Sequence, residues 1–192
     1  MKESILQIDS ELFLYLNSLH SPNCDLIMSS ISGTKIWIPL YAVILIFIFK
    51  KYQWKQGLLF LSALISLIIL TDQSSVHLFK NVFLRLRPCF SPSIETQVHC
   101  PHLPGGRYGF ISSHAANTFG FALLSSLILK KKTYSIFIFF WATLVSYSRI
   151  YLGVHYPGDI FCGALWGLFC AMLIFYGSQY IRQKLFSPPP EA

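Results

Sequence analysis

Charged residues in this chain stand mainly at the ends of long apolar stretches, and that distribution limits what it can fold into more than any other property. Five stretches, at about 26–49, 57–79, 111–129, 134–152 and 157–180, approach the ~20 apolar residues that an α-helix needs to cross a bilayer. Lys50, Lys51 and Lys55 close the first, Lys130, Lys131 and Lys132 close the third, and Arg182 and Lys184 follow the fifth. Lys35 lies inside the first, so the start of that span is the least defined boundary. Only 12% of the 192 residues are charged, against about 25% in ordinary soluble domains. Together with a mean hydropathy of +0.53, this excludes a soluble domain, a disordered chain and a disulfide-dense miniprotein. The expected fold is an all-α integral membrane bundle of about five transmembrane helices.

Outside the spans, Ile5, Leu6, Ile8, Leu12, Phe13, Leu16 and Leu19 recur at near-helical spacing with Asp9, Glu11 and Asn17 among them. The stretch is too short and acidic to span about 30 Å of hydrocarbon, which predicts an amphipathic helix lying in the interface. Its acidic residues also separate it from a signal peptide, so it is expected to be retained. Pro88, Pro92, Pro101, Pro104, Gly105 and Gly106 make 87–108 a loop. No internal repeat divides the chain, so residues 1–185 are expected to form a single domain, followed by a disordered tail at 186–192.

With five spans, the three basic clusters share one side of the membrane, and the positive-inside rule makes that side, with the C-terminus, cytoplasmic. The net charge of +7 therefore calls for no nucleic-acid partner. The opposite side, periplasm or cell exterior of a bacterial membrane, receives the N-terminal helix, the 87–108 loop and the 153–156 turn. It also receives Lys80, Arg85, Arg87, Arg107, Arg149, His114 and His155. A cation at membrane depth costs on the order of 3 kcal/mol, less towards the interface, so a gathering of them implies an anionic ligand.

Three groups carry the chemistry. Lys80 precedes Arg87-Pro88 by about two helical turns, so both cations can face one pocket, although snorkelling cations at a helix end would look alike. Ile111-Ser112-Ser113-His114 opens the third span, where free amides, the helix dipole and the two hydroxyls suit a phosphate; a plain Ser cap is the alternative. Ser148-Arg149 is followed by His155 and Asp159. There a guanidinium can fork onto phosphate oxygens, and a carboxylate can orient an imidazole whose other nitrogen is the nucleophile.

In this order the groups resemble the signature of the type 2 phosphatidic acid phosphatase superfamily, KxxxxxxRP, PSGH and SRxxxxxHxxxD. Ile111 replaces Pro and Ser113 replaces Gly. The resemblance implies a membrane lipid phosphatase in which His155 is the nucleophile that forms a phosphohistidine and Asp159 orients it. It implies His114 as the acid, and Lys80, Arg87, Ser112, Ser113 and Arg149 as the phosphate-binding set. Positive charge around in-line oxygens needs no metal, and Asp72 and Asp159 are the only acids of the spans near the groups, so neither metal nor cofactor is expected.

Several features stay open. Asp72, Gln73, His77, Asn117 and Thr118 suit pocket lining or interhelical hydrogen bonds equally. Cys89 and Cys100 flank the outer loop and can pair in an oxidising compartment, with Cys24 a competitor, while Cys162 and Cys170 read as packing residues. His99-Cys100-Pro101-His102 lacks a fourth ligand and reads as loop over a headgroup, not as a metal site. A polyprenyl diphosphate such as undecaprenyl diphosphate is the first expectation for the substrate. Phosphatidylglycerol phosphate, phosphatidic acid and a lipid A phosphate follow. A phosphotransferase and a non-catalytic lipid transporter are the readings from other classes.

Overall fold

The computed structural model describes residues 2–186, with side chains from residue 4 onward. The expected tail, apart from Phe186, lies outside the described residues. The described chain is helical apart from loops and one bridge between Leu86 and Tyr108. Its elements are α1 (Lys2–Ser18), α2 (Pro22–Ser32), α3 (Ile38–Lys51) and α4 (Trp54–Ser74), then α5 (Asn81–Phe83), α6 (Ser113–Leu129), α7 (Lys132–Tyr151) and α8 (Pro157–Phe186).

Two rods are long and apolar enough to cross a membrane, Trp54–Phe83 and Pro157–Phe186. A third qualifies if α2 and the Lys35–Lys51 segment, bent by 67°, count as one. Phe137, Phe140, Phe161, Leu165, Phe169 and Leu173 expose more than half of their surface on α7 and α8, or close to it, a cost in water that lipid removes. This is an integral membrane protein.

The expected 26–49 span is broken rather than continuous. Gly33 takes an extended conformation (φ −71°, ψ 138°) and its N–H caps the Ser30 carbonyl, ending α2. The indole N–H of Trp37 donates to the Ile31 carbonyl across the break at 2.8 Å. The second span runs past its expected end through a π-helical turn, Ser75–Lys80, into α5. A π-turn widens the helix and re-aims the residues after it, and Lys80 closes this one on the cavity side.

At the centre stands α6, packed against α4, α7 and α8. Its contact with α8 is made by backbones rather than by large side chains. A Cβ on Gly163 would meet the Ser112 carbonyl at 2.6 Å, one on Gly120 would meet the Gly167 carbonyl at 2.9 Å, and one on Gly167 would collide with the Ala116 backbone. Small residues allow this approach, and dispersion between close backbones holds helices together where lipid cancels the hydrophobic term. Polar bridges add to it. Thr71 Oγ1 donates to Asn117 Oδ1 at 2.6 Å and Trp166 Nε1 to Ser74 Oγ at 2.7 Å.

A second apolar cluster, Phe13, Ile94, Ile150 and Tyr156, fastens α1 to the loop end of the bundle. Asn17 strengthens it by donating to the carbonyls of His99, Ile150 and Tyr151 and accepting from the His99 N–H. In the loop, His99 Nε2 is engaged by Asp25 at 2.8 Å and its ring stacks on His20, which ties the loop to α2. Cys89 and Cys100 adjoin one another as free thiols. The Cys89 thiol donates to the Gly153 carbonyl at 3.0 Å, which ties the loop to the 153–156 turn.

The close α6–α8 crossing predicts that Gly167→Val destabilises the protein by about 1–3 kcal/mol, as overpacking does, and lowers the melting temperature in detergent. Gly177→Ala, where a Cβ meets nothing within 4 Å, should leave the melting temperature unchanged or raise it.

Candidate active site

The three sequence groups converge although they lie on separate elements. Lys80 closes the π-turn, Arg87 follows in the loop, and Ser113 and His114 open α6. Arg149 stands in the last turn of α7 and His155 in the turn before α8. All six line one cavity of about 670 Å³. Lys80 Nζ donates to Ser113 Oγ at 2.6 Å, Arg87 Nη1 to the Val154 carbonyl at 3.3 Å, and Arg149 Nη1 to Ser32 Oγ. These acceptors are neutral. Arg87 Nε and Arg149 Nε, both buried, have no hydrogen-bond partner. Buried guanidinium donors of this kind suit an anion that brings its own acceptors.

His155 is 1% exposed. Its Nε2 lies 3.3 Å from Arg87 Nη1 and its Nδ1 lies 3.4 Å from Asp159 Oδ2. A guanidinium only donates, so Nε2 carries the lone pair and the proton sits on Nδ1, facing the carboxylate. That is the tautomer a nitrogen nucleophile needs, and the long Nδ1 contact can tighten as the ring gains charge. Burial pushes the His155 imidazole well below its ordinary range, and the charges of Arg87, Arg149 and Lys80 push it further. Burial likewise lowers Arg87.

Asp159 is fully buried and does not line the cavity. Its Oδ2 also accepts the Tyr156 N–H at 3.0 Å, and its Oδ1 accepts from Arg85 at 2.8 Å. It can therefore act only through His155. Ser112 departs from the expectation: its hydroxyl accepts from the Ala115 N–H as a helix cap, its own N–H donates to the Asp159 carbonyl at 3.0 Å, and it lies off the cavity wall. The close α6–α8 crossing draws it there, so of the two serines only Ser113 presents its hydroxyl to the ligand space. Asp72, Asn117 and Thr118 line the cavity, whereas Gln73 and His77 are exposed elsewhere.

Sequence reasoning missed three contributors. Ser32, at the break between α2 and α3, holds Arg149. A Cβ on Gly109 would stand 3.2 Å from both the Arg87 side chain and Asp159 Oδ2, and 3.5 Å from His155 Nδ1. Arg85 reaches Asp159, and its two-residue spacing from Arg87 in an extended segment is the signal that puts both on one side.

Away from the cations, the cavity is lined by Leu45, Leu61, Ile65, Ile68 and Ile69. One end is cationic and the other is apolar.

Known proteins match this arrangement. Residues 56–183 fit the family model of the PAP2 superfamily. A lipid A 4'-phosphatase from Bacteroides thetaiotaomicron is 38% identical over 192 residues, 99% of this chain and 85% of that protein. An undecaprenyl-diphosphatase from Sulfolobus acidocaldarius is 33% identical over 138 residues, 72% of this chain and 61% of its own length. A crystal structure of a transmembrane PAP2-type phosphatidylglycerolphosphate phosphatase from Bacillus subtilis shares the fold, with a TM-score of 0.68, 22% identity and coverage of 97% and 90% of the two chains.

Two outcomes follow from the geometry. A histidine nucleophile must be neutral and His155 is lowered, so if His155 holds that role activity should persist as pH falls through 6.5 and be lost only below it; an acid limb of kcat/KM at or above 6.5 would contradict the role. Gly109→Ala should lower kcat by roughly 10–100-fold by displacing Arg87 and Asp159, the latter the partner of His155, read in the same assay.

Proposed function

The chain belongs to the PAP2 superfamily and is a membrane lipid phosphatase, and from that premise we propose that it removes a phosphomonoester from an acylated saccharide lipid of the lipid A type. The observation that carries the reading is the single cavity with Lys80, Arg87 and Arg149 at one end and Leu45, Leu61 and Ile65 at the other. The 38% identity to a lipid A 4'-phosphatase along nearly the whole chain supports this choice over the polyprenyl diphosphate placed first on sequence grounds. Similarity to an undecaprenyl-diphosphatase keeps the polyprenyl diphosphate as the second reading.

In the proposed mechanism Lys80, Arg87, Arg149 and Ser113 hold the phosphoryl oxygens. The His155 Nε2 lone pair forms the P–N bond while the P–O bond to the lipid breaks, and His114 gives its proton to the departing lipid oxygen. A water then attacks phosphorus, the P–N bond breaks, inorganic phosphate leaves, and His114 recovers a proton from the water. Asp159 stabilises the cationic ring of His155 through both steps. The cations supply the charge stabilisation, so no metal takes part.

The proposed topology counts five crossings: the bent α2–α3 pair, Trp54–Phe83, α6, α7 and α8. In it α1 lies in the interface, where its exposed Ile5, Ile8, Leu12 and Tyr15 meet lipid. Lys50, Lys51 and Lys130–Lys132, with the C-terminus, face the cytoplasm, and the cationic end of the cavity faces the periplasm. The substrate then keeps its acyl chains in the outer leaflet.

The test is phosphate release by the purified protein over lipid A phosphates, polyprenyl diphosphate, phosphatidylglycerol phosphate and phosphatidic acid, in excess chelator. Lipid A phosphate should turn over fastest, and His155→Ala should abolish release. Turnover that survives His155→Ala, or that requires added metal, would overturn the mechanism. Label passing from donor to a sugar or lipid acceptor would identify a phosphotransferase instead.

A further inference from the structure

Arg85 occupies a variable position of the first signature group and Asp9 lies outside the residues that match the family model, yet the two adjoin the Asp159 carboxylate. Arg85 Nη1 donates to Asp159 Oδ1 at 2.8 Å and Nη2 donates to Asp9 Oδ2 at 2.7 Å. The other Asp9 oxygen accepts the Gly158 N–H at 2.7 Å, one residue before Asp159. The guanidinium lies 4.0 Å from the centre of the Tyr156 ring. Its own main chain is fixed as well, because the Arg85 carbonyl accepts the Gly109 N–H at 2.9 Å beside the Leu86–Tyr108 bridge.

This arrangement divides one guanidinium between two carboxylates. A free Arg facing a lone buried carboxylate takes both of its oxygens in a forked pair. Here Asp9 occupies one arm, so Asp159 is held by a single bond on Oδ1 and keeps Oδ2 for Tyr156 N–H and His155 Nδ1. We propose that Arg85 and Asp9 are positioning residues of the active site, with Asp9 bringing the N-terminal helix α1 into the control of the Asp159 carboxylate and, through it, of the His155 ring. The inference rests on His155 being the nucleophile.

The two substitutions act in opposite electrostatic senses. His155 faces Lys80 from the π-turn, Arg87 from the loop, Arg149 from α7, His114 from α6, and Asp159, itself paired with Arg85 and Asp9, from α8. Removing the Arg85 cation makes a protonated His155 easier to form and moves the acid limb of kcat/KM to higher pH. Removing the Asp9 anion leaves the Arg85 charge less balanced and moves it to lower pH.

The experiment compares Arg85→Gln, Arg85→Lys, Asp9→Asn, Asp9→Glu and the double variant Arg85→Gln/Asp9→Asn, with His155→Ala alongside. It reads kcat, KM, the pH profile, inhibition by inorganic phosphate and the melting temperature in detergent. Arg85→Gln should lower kcat by about 100-fold and Asp9→Asn by about 10-fold. KM and phosphate inhibition should change less than about threefold, since Lys80, Arg87 and Arg149 are untouched. The limbs should move in opposite directions, the conservative variants should recover part of kcat, and the double variant should lose less than the product of the single losses. Unchanged kcat and pH profile in a folded Arg85→Gln or Asp9→Asn protein would overturn the proposal, as would losses that follow the melting temperature alone. Should either of those variants fail to fold, Arg85→Lys and Asp9→Glu decide, and wild-type kcat and pH profile in both would overturn it. Activity surviving His155→Ala would instead defeat the reading of the nucleophile on which this inference depends.

Discussion

Three buried or half-buried cations share one cavity, and no carboxylate among the described residues forms an ion pair with any of them. Lys80, Arg87 and Arg149 lean instead on a hydroxyl, a carbonyl and a second hydroxyl. Charges held this way at the edge of a membrane are expensive, and the rest of the bundle is arranged to keep them there. Asp159, which does not line the cavity, is committed to His155, Tyr156 and Arg85. In the proposed function, the phosphoryl group of the substrate offsets the cost of these cations.

Holding these charges in place requires that elements distant in sequence meet with little tolerance. The glycines and alanines of α6 and α8 let the two backbones touch, and the Ser112 N–H then reaches the Asp159 carbonyl. That bond fixes the start of α6, which carries Ser113 and His114, against the start of α8, which carries Asp159. Larger residues at the crossing would separate His114 from His155 without altering either one. On the other side of the cavity, the break at Gly33 places Ser32 against Arg149. A continuous helix there would carry Ser32 along a straight axis and leave that guanidinium without its hydroxyl.

The signature groups were legible because each lies within a short segment, at the end of an element whose apolar pattern fixes its depth. Lys80, Arg87, Arg149, His114 and His155 could be assigned to one face by counting helices, and the structure brings them to one cavity. Ser112 was misjudged because a hydroxyl that caps its own helix and one that faces a ligand have the same sequence. The break at Gly33 was invisible for a related reason: hydropathy is averaged over a window, and one extended residue inside an apolar run leaves the average unchanged. The Arg85 pairings with Asp9 and Asp159 join residues more than seventy positions apart, and no periodicity reports a contact at that range.

Charge balance bears on what the cavity accepts. Lys80, Arg87 and Arg149 supply three positive charges, and the Asp9–Arg85–Asp159 group behind His155 carries one net negative charge. With His114 protonated, as the proposed proton donor must be, three positive charges therefore remain at the phosphate end, or two if Asp72, on the wall towards the apolar part, is counted against Lys80. A phosphomonoester carries about 1.5–2 negative charges near neutral pH, which this surplus can neutralise within a low-dielectric cavity. A diphosphate brings roughly one charge more and a second phosphoryl group, and Asn117 and Thr118 stand on the same wall beside the three cations and Ser113. Arg107, on the exposed loop, is not on the cavity wall. The surplus at this end thus matches the anionic phosphoryl headgroup that the proposed function places there, with the apolar wall left for the acyl part.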